Sequence, residues 1–349
     1  MSQQTKPGLA ARLSAKAARI AKRARLLRSI KHVHGPRRFQ SEPDDVIVMA
    51  LVRDGAFYLR PFLAHYRSLG VRHFVFFDNG SSDDTIAQIR TEPGTVIVQS
   101  TLPWGDFEND FRRYAAETFC AGRWCLFADM DELFDFPASA SIGLSGLVRY
   151  LNANGFSALM AQMLEMFPKA PLAETAQMPY DTAIATYDYY DISQLDIVPY
   201  HAQTIEFEFF LRENTLGDPR ISFLFGGVRG KVFGERCCLS KHPLVFVGED
   251  VAPGVHPHCS QNVACADFTA VIKHYKFTNQ PLARDAALVA DQAIGHGEDK
   301  LRLSVLERDP DLTLFSNDAR RFDGLDALYD SGFLIRSPRF EAFVAGAKS

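Results

Sequence analysis

The chain lacks the marks of a disulfide-stapled or zinc-organised protein. Its six cysteines (Cys120, Cys125, Cys237, Cys238, Cys259 and Cys265) form no CxxC pair and no zinc spacing. That excludes a disulfide framework and a structural zinc site, and points to a reducing cytoplasm. No apolar run reaches the roughly 18 residues that a membrane-spanning helix needs, because charges interrupt each one. The N-terminus has no signal-peptide apolar region followed by a cleavage site, so export is not expected. Acidic residues are also missing from positions 1–40, which carry eleven bases: Lys6, Arg12, Lys16, Arg19, Lys22, Arg23, Arg25, Arg28, Lys31, Arg37 and Arg38. The net charge of −4 less these eleven positive charges leaves −15 for residues 41–349. With 349 residues and 47% hydrophobic content, the remainder can bury a large core or two modest ones.

In the basic segment, Leu9, Leu13, Ile20, Leu27 and Ile30, with Ala17 and Ala24 between them, recur at helical spacing and leave most bases on the opposite side. Such a helix can lie on an anionic membrane surface, each base adding about 1 kcal/mol. A solvated tail is the plain alternative. Nucleic acid is not an expected partner.

From Asp44 the pattern alternates. VIVMALV (46–52) reads as a buried strand, 57–70 as a helix stopped by Gly70, HFVFFD (73–78) as a strand and 82–90 as a helix with a capping serine or aspartate. TVIVQS (95–100) is a third strand, 107–122 a helix closed by Gly122, and WCLFA (124–128) a fourth strand. Four strand–helix repeats predict an α/β fold, a mostly parallel sheet with helices on both faces. Ligands of such sheets sit beyond the strands' carboxyl ends. That rule gathers Arg53, Asp54, Asp78, Asn79, Asp129 and Asp131 on one rim. Asn79-Gly80 also serves as an ordinary turn.

The fourth strand ends in ADMDELF. Carboxylates crowded at the end of a buried strand repel one another and resist desolvation unless a cation, solvent or a hydrogen-bond network receives them. Hard oxygen ligands suit Mg2+ or Mn2+, ions that bind one or two carboxylates and complete their shell from substrate phosphates. Asp129-x-Asp131 therefore suggests a diphosphate-bearing substrate, the alternative being an exposed acidic turn.

Residues 50–85 (ALVRDGAFYLRPFLAHYRSLGVRHFVFFDNGSSDDT) followed by WCLFADMDELF resemble the family 2-like glycosyltransferases of the GT-A fold. The likeness is to a group with a K-N-E-type loop, E-W-[hydrophobic]-x-[HY]-H, I-Y-D-N-x-S-x-D-x-T and D-x-D-E. It covers 44–136 well and extends weakly to KHYKF at 273–277. Arg53-Asp54-Gly55 stands where K-N-E is usual and Pro61-Phe62 where E-W is usual, so the group's contacts at the nucleotide base do not carry over unchanged to this chain. The resemblance implies a GT-A type, Rossmann-like domain over 41–280, flanked by the basic segment (1–40) and a helical extension (281–349).

It also implies a nucleotide-sugar donor held by Arg53, Asp54, Asp78 and Asp106, and a divalent metal (Mn2+ or Mg2+) on Asp129 and Asp131. His256 or His274 would be a further metal ligand, and Glu132 would orient the site or touch the sugar. Glu249 and Asp250 resemble the acidic pair of family 2 enzymes, one of which would take the acceptor proton, with Glu206 and Glu208 as weaker candidates. Arg229 and Lys231 in GGVRGKVFG suit a phosphate-binding loop, or a plain hairpin. Tyr187, Tyr189 and Tyr190 suit either sugar stacking or core packing.

The expected activity is metal-dependent, inverting sugar transfer to a polysaccharide, lipopolysaccharide or glycolipid acceptor. The enzyme is expected in the cytoplasm, with peripheral attachment at the inner face of the cell membrane through the basic segment. Two alternatives remain. One is a nucleotidyltransferase making a nucleotide-sugar, against which stands the absence of a Gly-rich, basic loop after the first strand. The other is a catalytically silent scaffold that holds membranes or polymers.

Overall fold

The computed structural model describes residues 9–290 and 298–347. A ten-stranded sheet organises them: β1 (Lys31–His34), β2 (Val46–Val52), β3 (His73–Asp78), β4 (Thr95–Gln99), β5 (Trp124–Phe127), β6 (Glu132–Asp135), β7 (Ala158–Glu165), β8 (Thr215–Leu216), β9 (Ser240–Phe246) and β10 (Ala264–His274). Their order is β1-β4-β3-β2-β5-β9-β7-β10-β8, with β6 pairing β10 outside that path. Parallel pairing joins β2 to β3 and β5, β3 to β4, and β10 to β7 and β8. β1, β6 and β9 run the other way. Seven of the ten strands therefore point in one direction, and the sheet is the expected mostly parallel one.

The reason lies in the side chains of β2. All seven of its residues are buried. Val46, Val48, Ala50 and Val52 enter one core cluster, and Ile47, Met49 and Leu51 enter another on the opposite face. A strand apolar on both sides must be covered on both sides. On the first face lies helix α2 (Ala56–Ser68), with Phe62, Leu63 and Tyr66 buried. On the second lies α4 (Trp104–Phe119), with Phe107, Phe111 and Ala115 buried; a short α3 (Thr85–Arg90) joins β3 to β4. The first cluster continues into the C-terminal segment through Leu328, Phe340 and Val344.

The basic segment forms α1 (Leu9–Ser29). Its C-terminal part docks on α4: Leu26 is buried in the second cluster, Lys22 pairs with Asp110 at 2.7 Å and Arg23 with Glu117 at 3.8 Å. Ile20 and Leu27 stay exposed. Lys6 and the side chains of Leu9, Arg12 and Leu13 lie outside the described residues. None of the helices among the described residues is long and apolar enough to cross a membrane.

One expectation fails. GGVRGKVFG is neither hairpin nor loop, because Gly227–Phe233 is a helix following the strand Ser222–Gly226. Of the two readings of the tyrosines, Tyr187 and Tyr190 take core packing, since both are buried in the first core cluster. Residues 155–167 do supply another strand, β7, as the sequence suggested.

Candidate active site

The directions of the strands decide what meets at the rim. β2, β3, β4, β5, β7 and β10 end there, and the antiparallel β9 begins there. Asp54, Asp78, Asp129, Glu165 and His274 therefore lie on the edge where Lys241 enters the sheet. Glu249 and Asp250 follow the far end of β9, whose Phe246 pairs with Trp124 at the start of β5. They are exposed on the opposite rim, a correction to their expected place beside the reacting atoms. The antiparallel direction of β9, which the sequence did not disclose, is the cause.

Asp129 and Glu132 share one cation. The Lys241 ammonium donates to Asp129 Oδ2 at 2.8 Å and, by a shorter contact, to Glu132 Oε1. Glu132 is buried and also accepts the Asp129 N–H at 3.4 Å. Burial raises the Glu132 pKa. Burial acts in the same sense on Asp129, but Lys241 and Arg112 outweigh it and hold that carboxyl down at about 2. The Lys241 pKa is pushed above its usual value by the two carboxylates, against the effect of burial. Arg112, buried on α4 and paired with Glu108 at 2.9 Å, lines the same narrow cavity as Asp129, Lys241 and His256. His256 stacks on Phe207 at 4.3 Å, and its Nδ1 accepts the His258 N–H at 3.2 Å.

Asp131 faces other groups. Its backbone carbonyl accepts the Tyr275 N–H at 2.9 Å, and its carboxylate lies 3.4 Å from His274 Nε2. His274 Nδ1 lies 3.0 Å from Glu165 Oε1, so the ring sits between two carboxylates. Burial opposes ionisation of that ring, yet Glu165 and Asp131 raise its pKa to about 9. Despite burial, His274, Lys276 and Arg284 hold the Asp131 carboxyl far below its ordinary value. Tyr180 packs against Tyr275, with ring centroids 5.9 Å apart, and its buried hydroxyl has no hydrogen-bond partner among the described residues. Such a group costs about 1–3 kcal/mol while unsatisfied.

The loops after β2 and β3 are tied together. Asp54, at φ +53°, accepts the N–H groups of Ser82 at 2.6 Å and Asp83 at 3.2 Å, while its own N–H donates to Ser81 Oγ. Asp78 is fully buried and accepts from Gly80 N–H and Gln99 Nε2 at 2.9 and 2.8 Å, so its carboxylate closes its own turn. Arg53 is exposed beside Asp54, and Asp106 is exposed in the first turn of α4. Arg229 and Lys231 are spent elsewhere. Arg229 pairs with Glu235 and Glu165, and Lys231 with Asp191 at 2.6 Å and Asp318 at 2.8 Å.

Two ionised carboxylates one residue apart, each with one oxygen in an ion pair, suit a hard divalent ion that takes its remaining ligands from phosphate and water. A site built from three protein ligands does not fit, since no group of three His, Cys, Asp or Glu among the described residues could hold a metal. His274 presents Nε2 to Asp131 and Nδ1 to Glu165, so both ring nitrogens face carboxylates. Lys241, Arg112, Glu165, Lys276 and Arg284 escaped the sequence reading. Lys241 meets Asp129 across 112 positions, a separation that leaves no spacing signal.

No protein-family profile matches this chain, and no curated protein matches it. Among solved structures it is similar to HddC from Yersinia pseudotuberculosis (TM-score 0.24, 9% identity, 38% of this chain and 62% of that one). It is also similar to UDP-glucose pyrophosphorylase from Acinetobacter baumannii (0.25, 11%, 38% and 60%) and to a UDP-glucose pyrophosphorylase complexed with UDP-glucose (0.24, 9%, 75% and 87%). The chain thus spans under two thirds of the first two. Likeness at these TM-scores carries no argument about fold or activity.

Proposed function

We propose that this chain is a glycosyltransferase that moves a sugar from a nucleotide-sugar to a glycan or glycolipid acceptor. The observation that carries the reading is the meeting of Asp129, Asp131 and their flanking cations at the carboxyl rim of a mostly parallel sheet. Asp54 and the 81–83 turn that it pins form the neighbouring wall, a suitable seat for the nucleoside. A divalent ion on Asp129 and Asp131, when bound, would offset charge on the donor diphosphate.

The chain's own residues act on the same charge. Arg112, Lys241, Lys276 and Arg284 raise the local positive potential where a diphosphate would depart, and a water-poor cleft strengthens that effect. The acceptor oxygen attacks the anomeric carbon as the bond from that carbon to the phosphate oxygen breaks. The acceptor proton passes to a base, and the diphosphate leaves with the bonding pair. Glu249 and Asp250 stand at the wrong end of β9 for that base. The exposed bases of α1, beside Ile20 and Leu27, support residence near an anionic membrane where lipid-linked acceptors are found.

The test supplies a panel of nucleotide-sugars with Mn2+ and follows nucleotide products by chromatography. Release of one free nucleoside diphosphate, at least 100-fold slower in Asp131→Asn, is the expected outcome, an effect of about 3 kcal/mol on the barrier. Release of pyrophosphate from a nucleoside triphosphate and a sugar phosphate would instead establish nucleotidyl transfer.

A further inference from the structure

Glu165 is an acid at this rim that sugar transfer itself leaves without a task. It ends β7, and its chain neighbours Leu164, Met166 and Phe167 are buried apolar residues of the first core cluster. Its own side chain is 3% exposed. Oε1 takes both His274 Nδ1, at 3.0 Å, and Arg229, at 3.4 Å, whereas Oε2 is buried with no hydrogen-bond partner among the described residues. Buried polar atoms are rarely left unpaired, and replacing a buried ion pair by apolar side chains is often neutral for stability. The core alone therefore gives no reason for a carboxylate here.

The pairing of the strands shows what Glu165 is set against. In the parallel pair β7 and β10 it stands directly opposite His274, and in the antiparallel pair β10 and β6 His274 stands opposite Glu132, the residue after Asp131. Backbone bonds fix the row: the Met166 N–H donates to the His274 carbonyl at 2.9 Å, and the Tyr275 N–H to the Asp131 carbonyl at 2.9 Å. The imidazole spans the gap between the two acids. With Nδ1 engaged by Glu165, the ring plane is set, and Nε2 lies 3.4 Å from Asp131 Oδ2. Arg229 holds Glu165 in turn and donates to Glu235 at 2.6 Å, and Glu235 also takes Arg302 from the C-terminal helix Glu298–Arg308. Glu235, Arg229, Glu165 and His274 are all buried, while the Asp131 side chain, at the end of the row, is 18% exposed and within reach of a ligand.

We infer that Glu165 is a positioning residue that, through His274, fixes the direction of the Asp131 carboxylate toward the divalent ion and diphosphate of the donor, an inference that rests on the donor-binding reading above. A carboxylate with one oxygen already held has lost its rotational freedom before the ligand arrives, so less is lost on binding. Glu165 itself touches neither donor nor acceptor, and no proton is transferred.

The experiment is calorimetric titration of the full chain with Mn2+, with nucleoside diphosphates in the presence of Mn2+, and with the matching nucleosides. The proteins are wild type, Glu165→Met, Glu165→Gln and Asp131→Asn, each checked for folding by circular dichroism. Glu165→Met should weaken Mn2+-dependent diphosphate binding about 10- to 100-fold, the usual effect of losing a partner that orients a metal ligand, and should leave nucleoside binding unchanged. Glu165→Gln should recover most of the affinity, because its amide oxygen still accepts from Nδ1. A second measurement requires no variant to fold. In wild type isotopically labelled at the histidine nitrogens, the assigned His274 ring should keep its Nδ1 proton protected from exchange with or without ligand. Its Nε2 resonance should move when diamagnetic Mg2+ and the diphosphate bind. Binding equal in wild type and folded Glu165→Met, equal loss in Glu165→Met and Glu165→Gln, or a freely exchanging Nδ1 proton overturns the positioning role. If Asp131→Asn abolishes binding in those cases, the donor reading stands. Glu165-dependent Mn2+ binding with no response to any nucleotide keeps the positioning role and removes the donor reading. A wild type that binds neither metal nor nucleotide overturns both.

Discussion

Lys241 shows how one residue can set the state of the whole acidic motif. Its ammonium bridges Asp129, whose side chain is 45% exposed, and Glu132, at 3%. The Glu132 pair is therefore the one that water cannot replace. Removing one partner of a buried pair costs about 3–5 kcal/mol because the other charge is left alone. Lys241→Met should lower stability by about 3 kcal/mol in urea unfolding, and adding Glu132→Gln should recover most of the loss. A change under about 0.5 kcal/mol in the single variant would show that the bridge has no structural weight. The acids of this motif were legible in the sequence because they sit within four positions at a strand end. The lysines around them were not, since Lys241 and Lys276 arrive from more than a hundred residues away, whereas the resemblance alone singles out His274, and as a metal ligand. Arg229 and Lys231 mislead for the same reason: glycines beside bases suggest a phosphate loop, whereas long-range carboxylates claim both side chains.

At the scale of elements, the hairpin of Ala252–His256 and Cys259–Gln261 brings His256 to the cavity by packing on α4. Gly254 permits that approach. It has φ +56°, and a Cβ there would stand 2.8 Å from Arg112 Cγ and Cδ. Gly254→Ala should cost about 1–2 kcal/mol through left-handed backbone strain and should displace Arg112 from the cavity. Gly248→Ala, where the nearest contact is an ordinary 3.5 Å and the backbone is not left-handed, should stay within about 0.5 kcal/mol. Differential scanning calorimetry of the pair checks this, and equal midpoints would refute it. Strand and helix periods disclosed β2 to β5 almost to the residue and the helices between them to within about three residues at each end. They could not disclose β9. A strand inserted antiparallel between β5 and β7 carries no mark of direction in its own sequence, and the misplaced base pair Glu249 and Asp250 follows from that single gap.

For the whole molecule, the uneven charge is partly resolved within the fold. The basic α1 lies along α4, and Lys22 and Arg23 meet Asp110 and Glu117. Some of the charge that composition assigned to an external surface is thus used inside the chain. Lys16, Arg19 and Arg28 remain exposed for that surface. The fold class was readable because two-faced burial forces apolar strands such as β2. The site's net character was not, because it arises from pairing across the entire sheet. The central claim, a donor diphosphate bound at the rim through Asp129 and Asp131, is tested most directly by calorimetric titration of a nucleoside diphosphate panel. It is run with and without Mn2+, on wild type and on Asp129→Asn/Asp131→Asn. The account predicts one preferred base, affinity that rises with the metal, and loss of both in the double variant. Equal binding by wild type and the folded double variant, or none by either, would contradict it.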